Sequence, residues 1–107
     1  MNWTIEVAST DAVEEAAVLP ADLRAKLGRF AELIGMHGVA AMRAPYAKHL
    51  EGKLWELRLK GRSGITRSLY VTVTGKRVVV LRTFVKKTQK TARREIDLAL
   101  ARAREIE

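Results

Sequence analysis

Three lysines and two threonine hydroxyls lie close together in Phe84-Val85-Lys86-Lys87-Thr88-Gln89-Lys90-Thr91. The stretch follows the apolar run Val78-Val79-Val80-Leu81 and precedes a helical pattern that starts near Ala92. Cations held where a strand hands over to a helix, beside helix N-terminal N–H groups, suit a phosphate. A solvated loop after a buried strand is the alternative for the same residues. Upstream, Arg58 and Arg67 fall on two alternating segments joined by a short turn, and cross-strand neighbours lie about 5 Å apart. Clustered cations can do more than hold RNA, because RNA carries its own nucleophile, the 2′-OH. An enzyme then has to orient that hydroxyl, accept its proton and stabilise the charge that develops on phosphorus. Arginine suits the last task, being always charged and bidentate towards phosphate. A lysine crowded by positive charge can accept the proton. Backbone binding without chemistry remains open at this level.

The charge distribution says which polymer to expect. Net charge is +8 over 107 residues, and residues 53–94 hold thirteen Lys and Arg against one acid, Glu56. The first 23 residues hold five acids and no Lys or Arg. A field so segregated points to a polyanion such as nucleic acid. No helical pattern is basic on one face and strongly apolar on the other, which argues against an anionic membrane. No segment approaches the ~18 apolar residues of a membrane span. The N-terminal residues carry no signal-peptide pattern, so a cytoplasmic protein is expected. There are no cysteines, which removes thiolate chemistry and disulfides. His37 and His49 have no ligand spacing to a carboxylate, and no Gly-rich phosphate loop occurs, so neither a metal nor a cofactor is expected.

The elements that must position these residues follow from periodicity. One domain spanning 1–107 is expected from the length. Residues 3–8 alternate and read as a strand. Ser9 or Thr10 can cap a short helix running to about Leu19. Pro20 suits the first turn of a second helix, with Leu23, Leu27, Phe30, Ala31 and Ile34 on one face and Gly35 or Gly38 at its end. Residues 38–52 read as a loop. Residues 53–60, 66–73 and 78–84 read as three strands, with turns at 61–64 and 74–76. Thr91 can cap a last helix over 92–106. The order β-α-α-β-β-β-α predicts an α+β fold with a mainly antiparallel sheet packed against helices.

The set Leu54-Trp55-Glu56-Leu57-Arg58, then Arg67 with Tyr70, then Leu81-x-x-Phe84 running through Lys86-Lys87 to Thr91, then Glu95, Ala99 and Arg102, resembles the RelE/HigB toxin family, in its phage-derived HigB-like branch. The resemblance covers most of the chain, and 1–50 matches in outline. It implies a RelE-like fold and the toxin of a type II toxin–antitoxin pair. Such toxins are metal-independent endoribonucleases that cut mRNA on the ribosome and leave a 2′,3′-cyclic phosphate. By match to the motif, Arg58, Arg67 and Lys87 are the expected catalytic residues. Arg58 would contact the RNA phosphate and Arg67 would stabilise the transition state. Lys60, Arg62, Lys86, Lys90 and Arg93 are expected to contact RNA. The implied partners are mRNA on the ribosome and a helix-turn-helix, HigA-like antitoxin. Some relatives carry a tyrosine acid/base in the first turn of the last helix, where this chain has Ala92-Arg93-Arg94. Two alternatives remain: a ParE-like toxin that inhibits gyrase without being an enzyme, and a phage nucleic-acid-binding domain.

Overall fold

Alternation in the sequence becomes a five-stranded sheet with helices on both faces. The computed structural model describes residues 3–38 and 46–106. The elements are β1 (Thr4–Val7), α1 (Thr10–Ala17), α2 (Ala21–His37), β2 (Ala47–Glu51), β3 (Leu54–Gly61), β4 (Gly64–Val73), β5 (Arg77–Val85) and α3 (Arg93–Ala103). The strand order is β1-β5-β4-β3-β2. β1 lies parallel to β5, and the other three pairs are antiparallel. The expected α+β, mainly antiparallel architecture is present.

β2 is the one strand not expected, since 38–52 reads as a loop. Its register shifts between His49 and Glu51. Ala47 packs with one core cluster and Leu50 with the other, as alternation requires, but the extra residue carries Glu51 to the row of Leu54 and breaks the period of two there. Residues 39–45 of that expected loop lie outside the described residues.

Parity sorts the core. Leu57, Leu59, Tyr70 and Val78 pack against Phe30 and Ile34 of α2. On the opposite face Leu54, Leu69, Val71, Val79 and Leu81 pack against Ala99 of α3. Burying a leucine of this kind contributes roughly 1.5–3 kcal/mol, so the two clusters fix which face each strand residue takes. A second bulge, in β5 between its pairings with Leu69 and Tyr70, inserts an extra residue and re-aims Arg82.

Helix ends agree with expectation at one of the two predicted side-chain caps. Ser9 Oγ accepts from the Ala12 N–H at 3.2 Å and caps α1. α2 ends at Gly38, whose φ of 69° needs glycine. α3 starts after Ala92 with no side-chain cap, and Thr91 is engaged elsewhere.

Candidate nucleic-acid interface

Register places the cations. On the α3 face one row runs Lys48, Glu56, Leu69, Arg82 across β2 to β5. The next row runs Arg58, Arg67, Phe84. Lys60 pairs with Ile65, whose carbonyl accepts from the Lys86 N–H at 2.7 Å. α3 covers the Leu54 and Val71 end of this face. The other end is crossed by segment 86–91, because Arg67 and Glu56 both bond to it.

Glu56 sits at the centre with 1% of its surface exposed. Its Oε2 lies 3.7 Å from Arg58 Nε and its Oε1 3.6 Å from Arg67 Nε. The Thr91 hydroxyl donates to Oε1. A carboxylate taken this far from water demands such partners, since an unpaired buried charge is heavily penalised. Arg67 donates through Nη2 to the Gln89 carbonyl at 2.6 Å, while its Nε has no hydrogen-bond partner among the described residues.

The site residues expected from sequence fall into separate places. Arg58 keeps 36% of its side chain exposed, with its backbone N–H held by the Tyr46 carbonyl at 2.7 Å. Arg67, expected to meet a phosphate, is 2% exposed and presents no surface to one in this arrangement. Its parity with Leu69 turns it inward, and Glu56 makes the burial tolerable. Lys60, Lys87 and Lys90 are exposed and Lys86 is half-buried. None of these four lysines makes an ion pair among the described residues. Arg62 is exposed at the β3–β4 hairpin tip. Its neighbour Ser63 donates to Asp22 through N–H and Oγ at 2.8 and 2.6 Å. Those bonds, the hydroxyl first, hold the Asp22 carboxyl below its usual value. Arg93, expected to meet RNA, is already bound to Glu51 at 2.5 Å and Asp97 at 2.9 Å.

The lysine stretch and the two arginines do not line one common cleft. Lys87 lines a cleft of about 410 Å³ with Arg82, Thr88, Arg94, Glu15 and Glu95, and neither Arg58 nor Arg67 lines it. In its wall, Arg82 bridges Glu15 at 2.9 Å and Glu95 at 2.7 Å. Arg102 joins Glu15 at 2.9 Å and donates to the Leu81 carbonyl at 2.7 Å. Burial alone would raise the Glu15 carboxyl. The Arg102 hydrogen bond, the charges of Arg82 and Arg102 and the Thr83 N–H outweigh it and hold the group below its usual value. These contacts give Glu95, Ala99 and Arg102 structural work at the α3 seam.

Among the described residues, neither Tyr70 nor His49 is placed as a general acid beside Arg58. Tyr70 is buried, and burial pushes its phenol up to about 12. His49 lies in β2 rather than a loop. Its ring packs on Trp55 with centroids 5.1 Å apart, and its Nε2 lies 2.7 Å from the Gly52 carbonyl. Lys48 joins the cationic face although nothing in its local pattern marks it. Only the pairing of β2 with β3 brings it opposite Glu56.

The family model for the phage-derived protein Gp49-like matches residues 14–104. The chain belongs to the phage-derived Gp49-like family. That RelE/HigB-like grouping is the one its motifs resemble. Among solved structures, the archaeal RelE–RelB complex from Pyrococcus horikoshii contains a chain similar to this Gp49-like protein, with a TM-score of 0.55 and 18% identity. The similarity covers 79% of this chain and 96% of the other, and at that identity it is a likeness of fold. A search of curated proteins finds no match.

Proposed function

We propose that this Gp49-like protein is the toxin of a type II toxin–antitoxin pair and cuts mRNA on the ribosome. The observation that carries the reading is the cationic end of the α3 face. There Arg58 and Arg67 are register partners, Lys60 and Lys86 flank them, and a single buried acid lies between. In this reading the mRNA 2′-OH attacks the neighbouring phosphorus. The bond from phosphorus to the 5′-oxygen breaks, and the departing oxygen takes a proton from solvent, leaving a 2′,3′-cyclic phosphate and a 5′-hydroxyl. Arg58 meets the phosphate charge, and the exposed lysines hold the flanking backbone and supply the candidate base. The attacking group belongs to the substrate, so the step requires neither a metal nor an activated water. Arg67 acts from beneath, through what it holds.

Family membership and the fold support an antitoxin partner, which we take to be a helix-turn-helix, HigA-like protein. The similar archaeal RelE is in complex with RelB. Ribosome-bound mRNA as substrate would make the cytoplasm its place of action. The test is purified protein added to a translation extract, with 5′ ends of the mRNA mapped. Cuts within translated codons that vanish without ribosomes are expected. Intact mRNA accompanied by gyrase-dependent DNA breaks would overturn the reading in favour of a ParE-like toxin.

A further inference from the structure

Segment 86–91 is tied to the sheet at three points. The Lys86 N–H donates to the Ile65 carbonyl at 2.7 Å. The Gln89 carbonyl accepts from Arg67 at 2.6 Å. The Thr91 hydroxyl donates to Glu56. Spanning the Gln89 tie, the Thr88 hydroxyl donates to the Lys90 carbonyl at 2.5 Å and closes a local turn. Two of the three sheet partners, Arg67 and Glu56, are buried side chains that also face each other at 3.6 Å. The lysines are carried between the ties and stay unpaired among the described residues. Thr91 is well placed in sequence to cap α3, a role worth about 1 kcal/mol. Its hydroxyl is directed to Glu56 instead, and α3 is left without a side-chain cap.

We infer that Glu56, Thr91 and Arg67 are positioning residues that hold the lysines of 86–90 in one geometry against RNA, without touching RNA themselves. The inference rests on the nuclease reading above. Affinity for a polyanion depends on how many cations it meets, and a loosened loop keeps its cations. Bond making is less tolerant, and a misplacement of about 1 Å can cost a hundredfold in rate. Untying the segment should therefore spare binding and cripple cleavage.

Thr91→Val removes the hydroxyl at nearly constant shape, and Thr91→Ser restores it. The first arm is limited trypsin digestion of the folded protein, scored at Lys86, Lys87 and Lys90, which needs no nuclease activity. Losing a hydrogen bond to a charged acceptor should raise the open population, and so cutting there, roughly ten- to hundredfold. The second arm compares single-turnover mRNA cleavage in the extract with single-stranded RNA binding across salt concentrations. Cleavage should fall about 10- to 100-fold with affinity and salt slope unchanged, and Thr91→Ser should match wild type in both arms. Thr91→Val with wild-type trypsin resistance, or with a loosened loop and a wild-type cleavage rate, overturns the inference. So does a loss explained by weaker binding. A wild-type protein that cuts no RNA sinks the nuclease reading instead, and the trypsin arm then decides alone whether these residues hold the segment. Should Thr91→Val fail to fold, Thr91→Ala, which also removes the hydroxyl that Glu56 accepts from, runs through the same arms.

Discussion

Arg58 and Arg67 stand directly opposite each other across β3 and β4, a like-charge pairing that a sheet normally disfavours. Glu56, two residues before Arg58 on the same face, offers one carboxylate oxygen to each of them. The pair is stable as part of a triad, with the acid as the member that permits the other two.

Glu56→Ala is expected to cost about 3–5 kcal/mol, because it strands a buried guanidinium. Guanidinium chloride unfolding checks this, and a midpoint equal to wild type would show that Arg67 relaxes into water without penalty. Glu56→Gln, which keeps the acceptor for Thr91, should lose less.

Arg58→Ala and Lys87→Ala should each weaken single-stranded RNA binding uniformly across sequences. Each should also reduce the slope of log affinity against log salt by about 0.7, one phosphate contact apiece. Filter binding at several salt concentrations measures it. A Lys87→Ala slope identical to wild type would remove the Lys87 cleft from the interface.

Glu15 should make stability fall in acid. Its folded-state carboxyl is held below the ordinary value of 4.5. Its contribution is therefore full above that value and is lost as pH drops through the lower folded one. Between roughly pH 6 and 3 the wild type should lose more stability than Glu15→Gln. Parallel denaturation curves of the two proteins over that range would contradict the assignment.

Two glycines should respond oppositely to alanine. At Gly28, inside α2, an added Cβ meets nothing within 4 Å, so Gly28→Ala should stabilise by about 0.5–1 kcal/mol. At Gly61 it would lie 2.8 Å from Leu23 Cδ2 and 2.9 Å from Asp22 Oδ2. Gly61→Ala should therefore lower the melting temperature, and thermal unfolding of both variants decides.

What could be read without coordinates was what depends on near neighbours. The alternation in β3 and β4 has period two, which groups Leu57 with Leu59 and Leu69 with Val71 as the two core clusters do. β2 escaped because it is short and its alternation is interrupted between His49 and Glu51, where Glu51 crosses to the face of Leu54. Thr91 read as a cap because capping rules look three residues ahead, whereas its partner Glu56 is 35 residues away. The parity of Arg67 with Leu69 was visible, and burial follows from it. What was missing was the acid that permits burial. Arg67→Ala, which the sequence alone presents as a clean removal of chemistry, should also damage the fold.

The parallel pairing of β1 with β5 has a consequence in time. Thr4 is made early and its partner Arg77 late. At about 5–20 residues per second, β1 waits roughly 4–15 seconds for that edge to exist. Arg82, segment 86–91 and α3 emerge later still. On the proposed reading, a ribosome synthesising this chain handles a harmless peptide for most of that interval. The part that could attack its message is completed last.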